Sequence, residues 1–357
     1  MQDTMSTLRS TFAAEIQQVD RALASYLGKF AQPPSHYEMI RYHLGLQPNG
    51  DGEAESSLHA RGKRLRAIVC LLIGRSMGAK GDVLTTLMLA SELLHNASLV
   101  HDDIQDSEPM RWGRPTAWMK FGIDQAINVG DAMVGMAFDL LLKLRHQGVS
   151  SAVAIETTDR YVNAYLRMAE GQHSDMVGAR ADMTRTEYLD MIERKTAAPL
   201  ECFAAATALV AGSAPEMERS FGQFGLGFGM LYQVCDDIRA IWGDPLETGK
   251  KSRRDIELRK PSLPLVIGME RASSRLKALI AAPKGSPLLT EAEVGEVTSE
   301  LANAEVFSAC REIADRYRDE TLEHLYSALR GHPDGTTLKT LEMMVRLCAA
   351  TAVPGEK

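Results

Sequence analysis

Cysteine is scarce in this sequence, and no two cysteines form a CxxC pair. Five cysteines stand far apart in 357 residues, and an odd number suits a reducing compartment better than a disulfide framework. We therefore expect a cytoplasmic protein whose thiols are buried and behave as small hydrophobic side chains. The five are Cys70, Cys202, Cys235, Cys310 and Cys348.

Long apolar runs and basic blocks are absent as well. The stretch MQDTMSTLRSTFAAEIQQVD at the start carries acids and no apolar segment of the signal-peptide type. The longest apolar run, around residues 202–211, is shorter than the roughly 20 residues that cross a bilayer. A formal net charge of −7 argues against broad nucleic-acid or membrane-surface binding. We expect no transmembrane segment and no nucleic-acid partner.

Strand-like alternation is nearly absent, whereas helical spacing dominates. Leu8, Phe12 and Ile16 recur every four residues, and Leu84 and Leu87 lie three apart. Turn-rich breaks separate segments of roughly 15 to 30 residues, which suit a helical bundle. None of the breaks resembles a domain linker, so we predict one all-α domain over residues 1–357, with its motifs at about 60–270. The breaks fall at 32–34, 47–57, 78–81, 148–151, 178–182, 212–215, 243–249 and 283–287.

The stretch HDDIQD contains the first of two acidic motifs. Asp102 and Asp106 are four apart and share one helix face, with Asp103 about 100° around the axis. Like charges at this spacing destabilise an isolated helix unless a cation lies between them. Mg²⁺ suits the position because it prefers carboxylate oxygens and is commonly shared with substrate phosphates. A single DDxxD stretch is nevertheless more often a solvated helix end.

A second acidic pair strengthens the metal hypothesis. Asp236 and Asp237 follow the apolar run FGQFGLGFGMLYQV, so they lie at the end of a predicted buried helix, where unpaired carboxylates are costly. Two acidic clusters on separate helices, each near basic residues, predict a clamp in which metal ions hold a polyphosphate. The basic candidates are Lys63, Arg64, Arg66, Arg111, Arg114, Lys195, Lys250, Lys251, Arg259 and Lys260.

The motifs between residues 62 and 264 resemble, in content and order, those of the trans-isoprenyl diphosphate synthases, the polyprenyl synthetase family. They are GKRLR, HDDIQD with RxGRPT, GQHSD, KTA, and YQVCDD followed by GDPLETGKKSRRDIELRKPSLPL. The resemblance implies a large helical bundle of the isoprenoid synthase type around a central cavity. It also implies a homodimer without an organic cofactor that condenses isopentenyl diphosphate with an allylic diphosphate.

The same resemblance implies a role for each matching residue. Three Mg²⁺ ions would be bound by Asp102, Asp106 and Asp236, supported by Asp103 and Asp237. The allylic diphosphate would be contacted by Arg111, Lys195, Lys250 and Lys260. The isopentenyl diphosphate site would be formed by Lys63, Arg66 and His95. Pocket residues would be Gln172, Asp175, Thr196 and Gln233, the last two offering oxygens to a carbocation.

The expected chemistry suits these groups. Breaking the allylic C–O bond places negative charge on the diphosphate, which metal ions, Lys and Arg stabilise most where water is excluded. The double bond of isopentenyl diphosphate, held in line, then attacks the allylic cation, and a proton is lost. The resemblance implies that the departing diphosphate takes this proton, so no side-chain base is expected.

The second acidic motif departs from the family pattern at its last position. Ala240 replaces the final acid of DDxxD, and Asp244 and Asp255 are nearby candidates for its role. We expect this loss to weaken one metal contact without abolishing the clamp.

Trp112 is the other departure, because the family usually has an arginine there that contacts isopentenyl diphosphate. An indole has one N–H donor and cannot pair with phosphate. Either Trp112 packs against a neighbouring helix and the remaining basic residues bind this substrate, or the site is degraded and the protein acts differently on an allylic diphosphate. Arg114, two residues later, is a candidate substitute.

Product length is expected to depend on the helix before the first motif. In the family, bulk at the fifth residue before the first aspartate stops growth early, and here that residue is Ala97, followed by Ser98. Leu94 lies one turn deeper, and Phe138 on a later helix could close the cavity from the facing side. A geranylgeranyl (C20) product is favoured over farnesyl, with C25 or longer as the alternative.

Two further functions stay open. A class I terpene cyclase-like lyase would ionise an allylic diphosphate without isopentenyl diphosphate, a hypothesis motivated by Trp112. A regulatory subunit of a prenyltransferase is disfavoured because both acidic motifs keep their leading aspartates.

Overall fold

The computed structural model describes residues 4–30, 32–46, 62–177, 183–243, 253–282, 286–303, 305–330 and 335–352. Helices form nearly all of the regular structure in these ranges, which confirms the all-α prediction. The helices before the chain midpoint are α1 (Thr4–Thr11), α2 (Ala13–Leu27), α3 (Pro34–Leu44), α4 (Leu65–Ser76), α5 (Gly81–Gln105), α6 (Ala117–Phe121), α7 (Ile123–Lys143) and α8 (Ser151–Val177).

The later helices and the short elements complete the described structure. The helices are α9 (Arg185–Ile192), α10 (Ala198–Val210), α11 (Pro215–Trp242), α12 (Arg254–Glu257), α13 (Leu263–Arg271), α14 (Ser274–Ile280), α15 (Glu291–Asn303), α16 (Val306–Ala328) and α17 (Gly335–Ala350). The short elements are the antiparallel strands β1 (Met110–Arg111) and β2 (Arg114–Pro115), a 3-10 helix at Leu144–His146 and a π-helix at Glu193–Ala197.

Helix boundaries follow the predicted breaks. α4 ends at Ser76 and α5 begins at Gly81, while α10 ends at Val210 and α11 begins at Pro215. Proline suits the start of α11 because an N–H in the first turn has no partner within the helix. The predicted breaks at 47–57 and 178–182 lie outside the described residues.

The chain forms two compact units. The first unit comprises Met1–Leu8, Val162–Ala205 and Pro215–Lys357, and the second comprises Arg9–Tyr161 and Ala206–Ala214. In the first unit, α11 packs against α16 and the π-helix, and its Phe221, Phe224 and Phe228 are buried. In the second unit, α5 packs against both α4 and α7. The expectation of a single domain stays a prediction.

Among the described helices, α5 alone is long and apolar enough to cross a membrane. Its most apolar window is 78% buried inside the protein, so packing in the second unit accounts for its apolar side chains. The expected lack of a transmembrane segment stays a prediction.

All five cysteines lie in described parts of the chain. Each is buried, and no disulfide joins any two of them. The prediction of buried thiols that pack as small hydrophobic side chains is confirmed.

Candidate active site

The first acidic motif lies at the C-terminal end of α5, in the second unit. The N–H of Asp106 donates to the carbonyl of Asp102 at 2.8 Å, so helical geometry extends through the motif. Both side chains are partly exposed, whereas Asp103 is 1% exposed. Two reachable carboxylates therefore lie one turn apart, and the third points into the protein.

Arg111 is held by the buried member of this motif. Its Nε donates to both carboxylate oxygens of Asp103, at 2.8 and 3.0 Å. Its Nη2 lies 2.6 Å from Asp103 Oδ1 and 3.7 Å from Asp102 Oδ2. A guanidinium paired in this way has a fixed orientation. Asp103 thus places a positive charge beside Asp102, which explains why the arginine follows the acids in sequence.

A tight hairpin of β1 and β2 carries Arg111. Met110 pairs with Pro115 and Arg111 with Arg114, which leaves Trp112 and Gly113 as a two-residue turn. Both turn residues have positive φ, +52° for Trp112 and +75° for Gly113, as a type I′ hairpin turn requires. Glycine adopts this conformation freely, whereas a tryptophan there is strained unless its side chain makes compensating contacts.

The indole of Trp112 makes such contacts with two earlier segments. A Cβ built on Gly62 would lie 3.1 Å from Trp112 Cζ2, so the ring packs closely on the Gly62 backbone. The ring centroid lies 6.0 Å from that of the buried His43 on α3. Arg114 is engaged on the same helix, where its Nη2 donates to the His43 carbonyl at 3.0 Å and its guanidinium lies 4.7 Å from the Tyr42 ring. The geometry favours a packing role for Trp112.

If isopentenyl diphosphate is the substrate, as the family resemblance implies, Trp112→Arg should leave its Michaelis constant within about twofold of wild type and lower the melting temperature. The loss of indole packing against Gly62 and His43 should cost about 1–2 kcal/mol. Steady-state kinetics and thermal unfolding measure the two effects, and Trp112→Phe, which keeps an aromatic ring, is the control for packing. A tenfold fall in this constant for Trp112→Arg would instead reveal a missing phosphate contact.

The GKRLR motif separates into one structural and two candidate binding residues. Arg64 is 2% exposed, with Nε 3.0 Å from Asp20 Oδ1, Nη1 3.0 Å from Glu92 Oε1 and Nη2 2.6 Å from the Leu44 carbonyl. Each nitrogen of its guanidinium is therefore hydrogen-bonded within the second unit. Lys63 and Arg66 on either side are half-buried.

His95 belongs to the same neighbourhood as Arg66 and Arg111. Burial, followed by the charges of these two arginines, lowers the pKa of His95 well below its usual value. Arg111 is paired with Asp103, so a neutral imidazole beside the charge of Arg66 offers a hydrogen-bonding group and a cation to an anionic ligand. Three predicted site residues thus come together in the second unit.

The second unit also contains the predicted chain-length residues. Ala97 is fully buried and Leu94 is 2% exposed on α5, which packs against α7. Ser98 is half-buried and donates to the His95 carbonyl at 2.7 Å. Phe138 is half-buried on α7.

In the first unit, a π-helix presents Lys195 and Thr196. Such one-turn segments often occur at functional sites because they shift side chains out of α-helical register. A Cβ on Gly229 of α11 would lie 2.5 Å from Ala197 Cα, so glycine permits very close packing there. The approach brings Thr196 Oγ1 to within 2.9 Å of Gln233 Oε1, to which it donates.

The two acids of the second motif have different surroundings. Asp237 is 5% exposed and accepts hydrogen bonds from the Gln233 amide at 2.8 Å, the Leu263 N–H at 2.8 Å and the Tyr188 hydroxyl. Burial raises its pKa to about 7, against the lowering effect of the Tyr188 and Leu263 hydrogen bonds. By contrast, the side chain of Asp236 is 49% exposed. Asp237 therefore fixes the local structure, and Asp236 is the acid that can reach a ligand.

In the first unit, the Asp175 carboxylate forms ion pairs with two lysines. It is 7% exposed on α8, with Oδ2 2.6 Å from Lys195 Nζ and 3.7 Å from Lys260 Nζ. One carboxylate shared by two ammonium groups leaves a net positive charge for an anionic ligand. Gln172, one turn earlier, is half-buried, and Lys250 lies outside the described residues.

The carboxylates fit Mg²⁺ that is shared with a substrate. In the part of the chain that the structure describes, no three His, Cys, Asp or Glu side chains are grouped to hold a metal ion. Mg²⁺ commonly binds one or two carboxylates and completes its shell with water and substrate phosphates. The reachable pair Asp102 and Asp106 offers this donor set. Of the candidate substitutes for Ala240, Asp255 is half-buried on α12, and Asp244 lies outside the described residues.

Tyr188 and Arg239 were missed by reasoning from the sequence. Tyr188 lies 49 residues from Asp237, and nothing local to it signals the contact. Arg239 stands three residues after Asp236, a spacing that brings side chains together on a helix. That signal was present in the sequence.

Comparison with known proteins gives consistent matches. A family model described as polyprenyl synthetase matches residues 52–300. A geranylgeranyl diphosphate synthase of Mycobacterium tuberculosis is 31% identical over 292 residues, 82% of this chain and 80% of the relative. A geranylfarnesyl diphosphate synthase of Aeropyrum pernix is 34% identical over 237 residues, 65% of this chain and 74% of the relative. A farnesyl diphosphate synthase of M. tuberculosis is 31% identical over 74% of this chain and 72% of its own.

One solved structure extends the comparison to the fold. A polyprenyl synthase from Caulobacter crescentus, described as complexed with calcium and isoprenyl diphosphate, has a TM-score of 0.81 and 23% identity and covers 97% of both chains. The prediction of an isoprenoid-synthase-type helical fold is confirmed.

Proposed function

Since the chain belongs to the polyprenyl synthetase family and is a trans-prenyltransferase, we propose that it condenses isopentenyl diphosphate with an allylic diphosphate to make geranylgeranyl diphosphate. The observation that carries this proposal is the arrangement at the end of α5. There, the reachable carboxylate of Asp102 lies 3.7 Å from the fixed guanidinium of Arg111, and the reachable carboxylate of Asp106 lies one helix turn from Asp102. A diphosphate needs both kinds of group, cations to bind it directly and carboxylates to retain its metal ions.

The proposal gives each group in the second unit a task. Arg111, oriented by Asp103, receives the allylic diphosphate and stabilises the charge that develops on it. Arg66, His95 and Lys63 bind isopentenyl diphosphate. Mg²⁺ is the cofactor on which the family generally depends, and when bound it supplies Lewis-acid stabilisation of the leaving group. We infer three ions, with Asp102, Asp106 and Asp236 as their protein ligands.

Groups of the first unit take the remaining tasks. Lys195 and Lys260, both beside Asp175, would hold diphosphate oxygens, as would Lys250. The side-chain amide of Gln233 is held at both polar atoms, because Oε1 accepts a hydrogen bond from Thr196 and Nε2 donates one to Asp237. A side chain fixed in this way can present oxygen lone pairs to a carbocation without reorganising, which is the basis of electrostatic preorganisation.

A product assay tests the proposal. The purified protein is incubated with Mg²⁺, isopentenyl diphosphate and farnesyl diphosphate, and products are sized by mass spectrometry. We expect geranylgeranyl diphosphate as the main product. Absence of any longer prenyl diphosphate would contradict elongation, and a main product of C25 or above would replace C20 as the assigned length.

Ala97→Phe should shorten the main product by one isoprene unit, from C20 to C15, when geranyl diphosphate is the primer. The phenyl group adds bulk five residues before Asp102, where Ala97 is fully buried. Overpacking should also cost about 1–3 kcal/mol of stability. Ala208→Phe, at an equally buried alanine on α10 in the same unit, is the control for overpacking. An unchanged product from a folded Ala97→Phe protein would locate the limit to chain growth elsewhere.

A terpene cyclase-like lyase is the second candidate, and Trp112 is the observation that favours it. The residue supplies no phosphate-binding cation at the position where the family has one. Incubation with farnesyl or geranylgeranyl diphosphate alone distinguishes the two functions, because a lyase releases hydrocarbon or alcohol without isopentenyl diphosphate. Turnover by the purified protein alone excludes a purely regulatory role.

We also propose a cytoplasmic homodimer. Met119 on α6 is 51% exposed, and Ile123 and Ile127, one turn apart on α7, are 49% and 43% exposed. Exposed apolar side chains of this kind are expected where another chain covers them. The buried thiols of all five cysteines are consistent with a reducing compartment.

A further inference from the structure

The link between Asp236 and the C-terminal end of α17 runs through one buried arginine. Arg239 is 6% exposed, and its Nη2 donates to Asp236 Oδ1 at 2.6 Å. Its Nη1 donates to the hydroxyl of Thr351. One guanidinium therefore joins Asp236, an acid of the second motif, to Thr351, which lies just past the last described helix and 112 positions after Arg239.

Thr351 is itself fixed by the end of α17. It is 7% exposed, and its hydroxyl donates to the Cys348 carbonyl at 2.6 Å while its N–H donates to the same carbonyl at 3.1 Å. The last carbonyls of a helix lack partners within the helix and carry partial negative charge, so they favour nearby cations. A hydroxyl that accepts from Arg239 and donates to such a carbonyl transmits the position of the helix end to the arginine.

A second arginine secures the same helix end. Arg311 Nη1 donates to the carbonyls of Ala349 and Ala352, at 3.0 and 3.2 Å. Residues 348–352 thus have several hydrogen bonds that hold them against α11 and α16. Thr351 is consequently a fixed anchor, and the orientation of Arg239 is determined at both ends.

Asp236 can bind a ligand while it is hydrogen-bonded to Arg239. Its side chain is 49% exposed although Arg239 contacts one of its oxygens. Partners that hydrogen-bond a ligating carboxylate fix its rotamer and tune its affinity for metal. In a helix, an unrestrained aspartate would sample several rotamers and lose entropy on binding.

We propose that Arg239 is a positioning residue that couples the Asp236 carboxylate, through Thr351, to the docked C-terminal end of α17 and so sets its affinity for divalent metal. The inference rests on the proposed function, in which Asp236 is a metal ligand. The arginine of DDIRA, Arg239, then orients a metal ligand, and residues 348–352 hold Arg239 in position.

Three variants test this coupling by metal binding and by kinetics. Thr351→Val removes the anchoring hydroxyl with little change in shape, Arg239→Met removes both contacts, and Asp236→Asn removes the proposed ligand. Mn²⁺ binding to the protein with inorganic pyrophosphate is followed by electron paramagnetic resonance, and the Mg²⁺ concentration for half-maximal rate is measured separately. Thr351→Val and Arg239→Met should weaken Mn²⁺ binding and raise that Mg²⁺ concentration about tenfold.

Thr340→Val is the matched control. Its hydroxyl donates to the Thr336 carbonyl at 2.8 Å on the same helix and has no link to Asp236 in the contacts described. It should lower the melting temperature slightly and leave Mn²⁺ binding unchanged. A positioning role predicts a metal effect for Thr351→Val that Thr340→Val lacks, and Arg239→Lys, which keeps a cation, should recover part of the Arg239→Met loss.

The outcomes separate this inference from the proposed function. If Asp236→Asn abolishes metal binding while Thr351→Val and Arg239→Met only lower the melting temperature, Arg239 is merely structural and the coupling is wrong. If Asp236→Asn binds Mn²⁺ and turns over normally, the metal assignment of Asp236 fails, and the coupling fails with it.

Discussion

Asp102→Ala should reduce turnover about 10³-fold and leave the fold intact, because it removes a reachable carboxylate from the proposed metal site. The side chain of Asp102 is 21% exposed, and Arg111 Nη2 lies 3.7 Å away. Arg111 is anchored mainly on the buried Asp103, so it stays in place when Asp102 is truncated. Turnover is measured with Mg²⁺, farnesyl diphosphate and isopentenyl diphosphate, and the fold is checked by circular dichroism and thermal unfolding.

The control must separate loss of a ligand from loss of one negative charge. Asp124→Ala removes an exposed acid from the first turn of α7 in the same unit and should keep turnover within about twofold. Asp102→Glu retains the carboxylate and should keep more activity than Asp102→Ala. A normal rate in folded Asp102→Ala would overturn the metal assignment at the first motif.

The helices were predictable because their signals are local. The spacing of apolar residues and the turn-rich break at 78–81 mark the start of α5, and the four-residue interval then places Asp102 and Asp106 on one face. The free energy that selects a helix over a strand here comes largely from burying one apolar face, and that face is written in consecutive residues. The motif order likewise led to Arg111, Lys195 and Lys260 as candidate anion ligands.

The choice between neighbouring side chains of one motif was predicted by the family resemblance, and the local pattern alone does not give it. Asp236 and Asp237 are adjacent and chemically identical, and their surroundings differ because α11 turns Asp237 toward Tyr188 and Leu263, which are 49 and 26 residues away. In GKRLR, the buried member is Arg64 because Asp20 and Glu92, at separations of 44 and 28 residues, accept its hydrogen bonds. Such outcomes depend on tertiary packing, which a local pattern does not encode.

The π-helix was also beyond the reach of the sequence pattern. Glu193–Ala197 follows α9 and itself contains no proline or glycine, although Pro199, the second residue of α10, lacks the N–H that would continue regular helical bonding. Its wider turn is compatible with the close approach of Gly229 on α11 and gives Thr196 its hydrogen bond to Gln233. The position of the π-helix therefore depends on the absence of a side chain at Gly229 of α11.

Gly229→Ala should lower both stability and turnover, because the added methyl group has no space. Its Cβ would lie 2.5 Å from Ala197 Cα and 2.9 Å from Ala197 Cβ, and a backbone neighbour cannot move aside as a flexible side chain can. Overpacking of this kind costs about 1–3 kcal/mol, more than the roughly 1 kcal/mol that alanine gains over glycine within a helix. Displacement of the π-helix should also disturb the Thr196–Gln233 hydrogen bond and reduce kcat/KM about 10²-fold.

Gly222→Ala, on the same helix face two turns earlier, is expected to change the free energy of unfolding in the opposite direction. A Cβ there would lie 3.4 Å from Ala205 Cβ and 3.8 Å from Glu201 Cγ, which are ordinary contact distances. With space available, the helix preference for alanine should raise the free energy of unfolding by up to about 1 kcal/mol without changing turnover. Thermal unfolding and kcat/KM of the two variants give the comparison. If both glycines tolerated alanine equally, close packing against Ala197 would not explain the glycine at 229, and the position of Thr196 would need another cause.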